Sequence, residues 1–307
     1  MNVDPASGYT AQNVNLGKIR TRGVELLVSV VPVRTKDFEW TLTWNYTKNN
    51  NKVIELPEEM NGRASIWGFS GGTGLYAIEG DEMGVFEAYV AKTDDQGRII
   101  VDKNGLPQNT DEMVKIGSIN YDYMMGIGNT LRYKDFSLSF DFDIRQGGLM
   151  FSRTHDITYF TGNAMQTAYN DRNPFVVPNS VKLAGEDANG NPIYVENDIP
   201  LYGTTLYNYW DNGAIAMGSG SLINKSYVKL RQVVFGWDVP KKWLEKTFLT
   251  GVHLSVYGNN LLMWCPSSNT FIDPESSSFG NDLEGSFGEY STNPSCRKFG
   301  FNVNVKF

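Results

Sequence analysis

The chain has 307 residues, of which 41% are hydrophobic, 13% are aromatic and 31 are glycine, and its formal net charge is −7. This composition favours an all-β protein, because aromatic residues suit pleated sheets and glycines serve turns and bulges. The acidic balance argues against a nucleic-acid-binding surface, which would require a basic face. Two cysteines and two histidines leave too few ligands for a typical zinc or iron site, so no metal or other cofactor is expected.

The sequence contains no signal for a spanning helix or a secretory leader. No run reaches the roughly 18 apolar residues of a transmembrane helix, and residues 1–20 lack the basic start and apolar stretch of a signal peptide. The mean hydropathy of −0.34 is hydrophilic, but a transmembrane β-barrel averages to such a value because apolar and polar residues alternate along its strands. The sequence does not exclude a transmembrane β-barrel, which would require an N-terminal region that is not in this sequence.

Seven segments alternate apolar and polar residues with the period of a β-strand. In chain order they are 22–32, 38–46, 121–133, 136–145, 227–239, 250–264 and 299–307. Each approaches or exceeds the 9 to 11 residues with which a tilted strand crosses a bilayer. We therefore predict that one set of side chains faces lipid, namely Phe38, Trp40, Leu42, Trp44, Phe136, Leu138, Phe140 and Phe142. The intervening Glu39, Asp141, Asp143 and Arg145 should face a watery lumen.

The connections between these segments alternate in length. Residues 32–37, 133–135 and 240–250 form short or modest turns, whereas 48–120, 148–224 and 265–294 form long polar loops. Outer-membrane barrels combine short periplasmic turns with long external loops in this way. Turn motifs at 94–97, 103–105 and 189–191 predict small hairpins within two of the loops. Seven strands cannot close an up-and-down antiparallel barrel, so further strands must come from elsewhere.

Several passages resemble SusC/RagA-like TonB-dependent receptors across essentially the whole chain. They are Gly17–Leu26 with Asp37–Trp40 and Asn45–Asn49, Ser226–Arg231 with Val239–Leu244, Tyr257–Leu261, Asn293–Arg297, and Phe299–Phe307. Thr21 and Arg22 stand where Asn and Lys are commoner in that family, and Asn293 replaces the usual aromatic residue before Pro294. Neither departure touches a residue to which we assign a role in transport.

The resemblance implies that residues 1–307 are the C-terminal portion of a 22-stranded outer-membrane β-barrel of a Gram-negative, Bacteroidetes-like cell. The plug domain and the N-terminal TonB-contacting segment of the family have no counterpart in these residues. Such receptors import glycans, oligosaccharides or peptides beneath a SusD-like surface lipoprotein. The resemblance also implies that the barrel assembly machinery reads the terminal ring of Phe307 as an insertion signal.

Two sets of residues are candidates for functional chemistry. The first comprises loop aromatic residues and a neighbouring acid that are suited to stacking on sugar rings or holding peptide side chains: Trp67, Phe69, Tyr76, Tyr202, Tyr207, Tyr209, Trp210 and Asp211. The same rings would equally serve to pack the loops or to meet a lid protein. The second set is Cys265 and Cys296, which lie at the outer ends of the last two strands and are candidates for a disulfide at an oxidising cell surface.

Three further motifs favour ordinary structure, and no catalytic residue is expected. Gly68–Gly72 has the form of a nucleophile elbow, but no helix follows it. Asp187 and Asn189 fit a hairpin turn better than a calcium loop that would end at Glu196, and His253 is predicted to face the lumen. The remaining alternatives to a transport component are a secreted β-rich protein that binds or cleaves glycans, and a nonfunctional remnant of a split transporter gene.

Overall fold

The structure is a computed structural model, and it describes residues 17–69, 72–213, 218–269, 272–276, 278 and 288–307. Within these ranges the strands are β1 (Lys18–Arg34), β2 (Phe38–Glu55), β3 (Arg63–Phe69), β4 (Thr73–Ile78), β5 (Met83–Ala88), β6 (Ile99–Val101), β7 (Val114–Ser118), β8 (Tyr123–Tyr133), β9 (Phe136–Gln146), β10 (Leu149–Ser152), β11 (Ser180–Glu186), β12 (Pro192–Glu196), β13 (Leu222–Asn224), β14 (Tyr227–Asp238), β15 (Gly251–Trp264), β16 (Gly288–Glu289) and β17 (Lys298–Lys306). The α-helices are α1 (Arg153–Phe160), α2 (Thr204–Asn208) and α3 (Lys241–Leu244), and further helical turns lie at Glu58–Met60, Met165–Arg172, Tyr209–Gly213 and Gly218–Ser221. No helix in this part of the chain is long and apolar enough to cross a membrane.

The seven long strands form one antiparallel sheet in the order β1, β2, β8, β9, β14, β15, β17. They correspond one to one with the seven segments predicted from alternation, so the predicted all-β antiparallel fold is confirmed. The strands β1 and β2 are longer than predicted, at 17 and 18 residues. Their outer halves pair only with each other, because β8 reaches no further along β2 than Thr47. This sheet is called the wall below.

The register of the wall separates its two faces as the alternation predicts. Phe140 lies between Asn129 of β8 and Val233 of β14, and the next residue, Asp141, lies between Gly128 and Gln232. Since successive side chains of a strand point to opposite sides, the aromatic and aliphatic residues lie on one side, called the apolar face, and the polar residues lie on the other, called the polar face.

One irregularity reverses the alternation within β14. The register against β9 shifts between Leu230 and Gln232, which leaves Arg231 as an extra residue in the strand. Such a bulge moves the apolar set from even to odd numbers, so that Val228 precedes it on the apolar face and Phe235 follows it there. The reversal explains why the alternation of this segment looks weak in the sequence although both of its halves are regular.

The long loops fold into a second region with its own small sheets. These are β3-β4-β5-β7, β6-β11-β12 and β13-β10-β16. The predicted local hairpins are confirmed, and their turns share one geometry in which an aspartate carboxylate accepts hydrogen bonds from the backbone N–H groups two and four residues later. The three aspartates are Asp94, Asp102 and Asp187. The residue just before the second N–H donor is in each turn a glycine with φ between +75° and +82°, a conformation that other residues seldom adopt.

The buried core of the described chain lies in this loop region. Its largest groups of buried side chains centre on Leu75, Phe86 and Phe151, on Phe175 and Leu201, and on Val53 with its neighbours. Because Val53 belongs to the outer half of β2, the last group attaches the loops to the wall. Within the loop region, Glu289 of β16 is fully buried and accepts hydrogen bonds from Ser152 Oγ at 2.6 Å and from Thr154 N at 2.8 Å, so it ties the last long loop to the start of α1.

Candidate functional site

A cavity of about 510 Å³ lies open on the polar face of the wall. Its lining includes Thr43, Asn45 and Asp141, which come from neighbouring strands and share one side of the sheet. Two glycines of β8 widen it, because a Cβ on Gly126 would stand 2.5 Å from the Asn45 amide, and one on Gly128 would stand 2.9 Å from the Asp141 carboxylate. The arrangement provides a polar surface on which a hydrated solute can lie.

At the outer end of this surface, seven charged or phenolic residues form a group that we call the wall cluster. Its members are Asp143, Arg145, Tyr227, Lys229, Arg231, Asp273 and Glu275. The first five lie on β9 and β14, whose register sets Lys229 opposite Asp143. The side chain of Lys229 is 3% exposed, and a buried ammonium group requires acceptors close to it.

Those acceptors come from the last long loop. Lys229 Nζ lies 2.5 Å from Asp273 Oδ1 and 2.6 Å from Glu275 Oε2. Tyr227 donates to Glu275 Oε1 at 2.7 Å, and Arg231 donates to the same carboxylate and to Asp143. Burial alone would raise the pKa of Glu275, but the donors on Arg231, Lys229 and Tyr227 outweigh it and lower the pKa to about 2. The segment 272–276 is thus held as an anionic clamp against the polar face.

A second concave site lies among the loop helices. It encloses about 340 Å³ between α1 and α2, and its lining includes Tyr159, Phe160, Tyr207 and Trp210. The rings of Phe160 and Tyr207 meet edge to face at 6.0 Å, and those of Tyr159 and Trp210 lie 6.2 Å apart. Such a pocket offers flat apolar surfaces with a few polar edges, which suits sugar rings and apolar peptide side chains.

The predicted aromatic residues occupy different environments. Tyr207 and Trp210 line the loop pocket together, and Tyr202, at 65% exposure, lies just before α2. Tyr209 is buried beside Phe175 and belongs to the loop core, as does Trp67 beside Leu75 and Phe86.

Tyr76 lies in β4 beneath the guanidinium of Arg63, whose Cζ is 3.9 Å from the ring centroid. Asp211 follows Trp210 in the turn after α2 and is half-buried.

Other predicted residues have clear structural surroundings. Phe69 ends β3, while Ser70 and Gly71 of the elbow-like motif and the side chain of Phe69 lie outside the described residues. Asp187 makes the hairpin turn expected of it. The Nδ1 atom of His253 lies 2.8 Å from Asp238 Oδ1, and both residues line a hollow at the short-turn end of the polar face. Phe307 is 80% exposed and its ring stacks on Phe248 at 5.8 Å.

The structure contradicts the predicted disulfide, since Cys265 and Cys296 are both free thiols. The register of the last two strands supplies the reason. Asn259 of β15 pairs with Lys298 of β17, so Cys296 would lie level with Leu261, four residues short of Cys265. At roughly 3.3 Å per residue the two cysteines are about 13 Å apart along the strands, far beyond the reach of a disulfide.

Sequence reasoning assigned Asp143 and Arg145 to the polar face but missed the other members of the wall cluster, and it missed the half of the loop pocket that α1 supplies. A signal for the first was available, because Tyr227, Lys229 and Arg231 alternate with the apolar Val228 and Leu230 on a strand already assigned to the barrel. Their acidic partners Asp273 and Glu275 lie more than 40 residues away in a loop, where no pattern marks them. For the pocket, α1 contributes Tyr159 and Phe160 from a segment that has no clear helical periodicity.

Comparison with known proteins places these features in context. No family model matches the chain. It is 26% identical over 326 aligned residues to TonB-dependent receptor P3 of Formosa agariphila and 27% identical over 334 aligned residues to TonB-dependent receptor P26 of the same organism, and each alignment covers 98% of this chain. The TonB-dependent receptor SusC of Bacteroides thetaiotaomicron is 27% identical over 41% of the chain. The chain spans 30% of the length of the two Formosa relatives.

Solved structures agree with these relatives on the fold. The structure of the RagAB peptide transporter matches all of this chain with a TM-score of 0.68 at 16% identity, over 31% of its own chain. The RagAB peptide importer in its open-open state matches with a TM-score of 0.64 at 15% identity, over 100% of this chain and 31% of its own. The relatives named here are receptors, and the solved structures, which share the fold of this chain, are transporters or importers.

Proposed function

We propose that this chain, a relative of the SusC-like TonB-dependent receptors, forms the C-terminal part of the wall of an outer-membrane β-barrel that imports a solute. The observation that carries the proposal is the division of the seven-stranded sheet into an exposed apolar face and a polar face with a wide hollow and a charge cluster. A barrel wall needs this division, because one side meets lipid and the other meets water.

The rival reading as a secreted β-rich protein is disfavoured by the same sheet. A soluble sandwich covers the apolar face of each sheet with a second sheet. On the wall, Leu26, Phe235 and Val256 remain 46 to 56% exposed, and no second sheet among the described residues covers them. The reading as a nonfunctional remnant makes a different prediction, namely that no import depends on this chain.

In the proposed importer, the plug domain and the segment that contacts TonB both lie outside these 307 residues. A SusD-like lipoprotein lid covers the external loops. The imported solute is a glycan, an oligosaccharide or a peptide. The loop pocket beside Tyr207 and Trp210 is its proposed first contact, because both rings line a hollow of about 340 Å³ that opens outward from the loops. The polar face of the wall then provides the surface along which the solute passes.

The proposal is tested by labelling from the aqueous side in native outer membranes. In a variant without its natural cysteines, Asp141→Cys and Asn45→Cys should react with a membrane-impermeant maleimide, whereas the adjacent Phe140→Cys and Trp44→Cys should not. Each pair differs by one position on one strand, so accessibility of the strand itself is controlled. Equal labelling within both pairs, or absence of the protein from outer membranes, would contradict a barrel wall.

The role proposed for Phe307 requires a separate test. Its ring is exposed and stacks on Phe248 at the short-turn edge of the wall. If the barrel assembly machinery reads this ring, deleting Phe307 in the full-length receptor should lower the amount of folded barrel in heat-modifiability gels far more than Phe301→Leu, which keeps an apolar residue on the same face. Similar amounts of folded barrel in the two variants would show that Phe307 only packs against its neighbour.

A further inference from the structure

The charges around the wall cluster do not balance. Within the described residues, four basic side chains gather there against three carboxylates. The basic ones are Arg145, Lys225, Lys229 and Arg231, and the acidic ones are Asp143, Asp273 and Glu275. Three of the four basic groups form ion pairs with these carboxylates. Lys225 forms none within the part of the chain that the structure describes, so among those residues the group is one negative charge short.

Lys225 is nevertheless buried, with only 4% of its surface exposed. Its ammonium lies over the ring of Tyr121, with Nζ 4.2 Å from the centroid, and Arg145 approaches the same ring at 5.5 Å. The lysine stem passes over Gly148, where a Cβ would stand 2.5 Å from Lys225 Cε, and the two backbones are joined by a hydrogen bond of 3.0 Å. The chain therefore makes room for this side chain and holds its base in place.

An ammonium group in this position is costly. The attraction between a cation and an aromatic ring is weaker than the cost of burying an ammonium group without a counter-ion. Burial, together with the smaller effect of the neighbouring positive charge of Arg145, lowers the pKa of Lys225 to about 8. The group thus still carries its proton at neutral pH. The nearby Asp122 does not offset it, because its exposed carboxylate forms no ion pair with Lys225.

We propose that Lys225, with Arg145 beside it and the ring of Tyr121 beneath it, is a binding subsite for one oxyanion group, a carboxylate or a sulfate, of the imported solute. A single anion would balance the charges of the described group and give an acceptor to the ammonium, whose described contact is the ring of Tyr121. Arg145 suits the second contact, since its guanidinium presents five N–H donors, and its ion pairs with Glu275 at 3.1 Å and Asp143 at 3.9 Å both use the Nη2 atom. The inference rests on the proposed import function and narrows its substrate to acidic solutes.

The subsite is tested by calorimetric titration of the full-length receptor in detergent with sodium glucuronate and sodium sulfate, with glucose and sodium chloride at matched ionic strength as controls. The oxyanions should bind saturably at one site, and Lys225→Gln should weaken binding by about tenfold or more, the usual worth of a charge-assisted hydrogen bond. Lys242→Gln should bind as the wild type does, because Lys242 is exposed on the α3 turn. Binding by neither anion, equal binding of chloride, or equal affinity in Lys225→Gln would overturn the proposal.

A measurement on the wild type guards against a variant that fails to fold. Acylation of Lys225 by a water-soluble amine reagent, followed by mass spectrometry, should slow severalfold in saturating glucuronate, while acylation of Lys242 should not change. Which of glucuronate and sulfate binds more tightly separates a carboxylate-bearing solute from a sulfated one. Unchanged acylation of Lys225 in both anions would count against the subsite even if calorimetry detected heat.

Uptake assays separate this inference from the import function on which it rests. If cells with an intact TonB system import no solute through the receptor, the proposed function fails regardless of anion binding. If they import both acidic and neutral oligosaccharides or peptides, and Lys225→Gln leaves the KM for both classes unchanged, the subsite fails and import stands. An increase in KM for the acidic class alone is the expected result.

Discussion

The wall and the loop region place their apolar residues in opposite ways. In the wall, Phe301 is 78% exposed and Val256 is 56% exposed, although both belong to regular strands. In the loops, Phe86 and Leu201 are fully buried within small sheets and short helices. One polypeptide is thus fitted to two solvents, because the loop region folds its apolar residues away from water while the wall displays them outward. Burial alone would misidentify the loops as the structural core and the wall as a surface.

The largest expected effect tests whether the loops are a packed core in their own right. Phe86→Ala should destabilise the loop region by about 3 to 5 kcal/mol, since it empties a fully buried position. Hydrogen exchange of the β4 and β5 amides measures this loss. The matched change in the wall, Phe301→Ala, should cost under about 1 kcal/mol in detergent, because the ring is not enclosed by protein. Equal losses in the two variants would mean that the two regions do not differ as described.

A charge on the apolar face provides the converse test. Phe140→Lys should destabilise the protein in lipid vesicles, lowering its free energy of unfolding by about 2 to 4 kcal/mol, as expected for a lysine near the middle of a lipid-facing strand. The control is Ser139→Lys, one position away on the polar face, which should have little effect. Urea titrations of the vesicle-folded protein supply both values. If Ser139→Lys is the more damaging change, the assignment of the two faces is reversed.

The clamp between the two regions should respond to acid. The pKa of Glu275 in the folded protein is about 2, below its ordinary value of 4.5, so its contribution is fully present above pH 4.5 and is lost as the pH falls towards 2. Glu275→Gln should remove about 2 kcal/mol of this attachment at neutral pH. Hydrogen exchange of the amides at 272–276 reports it, and the exposed Glu245→Gln is the control. A clamp that is equally protected in both variants would not depend on these ion pairs.

The smallest expected effect concerns a histidine inside the loop region. His155 is 9% exposed and stacks on Tyr159 at 4.5 Å, and burial lowers its pKa to about 4. Stability is therefore complete above pH 6.5 and declines as the pH falls towards 4, by about 1 kcal/mol at pH 5.5. Exchange of the α1 amides should rise over this range. In His155→Phe the rise should be absent, and a rise of the same size there would assign it to another group.

The sequence predicts the wall far better than it predicts the sites. Strict alternation at 38–46, 136–145 and 299–307 reflects a regular physical demand, because every second side chain meets a different solvent. The bulge at Arg231 obscured the pattern in β14 without hiding the strand. Residues 18–21 of β1 and 47–55 of β2 lay outside the predicted segments, since apolar and polar residues no longer alternate there.

The sites depend on partners that are distant in sequence. Glu275 becomes part of the wall cluster only because the last loop folds inward, and Tyr209 differs from Trp210 only in the direction that one helical turn gives its ring. Two of the predicted aromatic residues, Trp67 and Tyr209, pack in the loop core, where rings also supply hydrophobic packing. The cysteine prediction was wrong because proximity of two strands was taken without their register.

The bulge at Arg231 also limits how β14 can change over evolution. Loss of that one residue would restore an unbroken alternation, yet it would turn Tyr227 and Lys229 to the apolar face or else Phe235 and Trp237 to the polar face. Gains and losses of single residues in this strand are therefore expected to occur in compensating pairs. Alignments of related sequences should place gaps in the loops and keep the spacing between Lys229 and Trp237 fixed at eight residues.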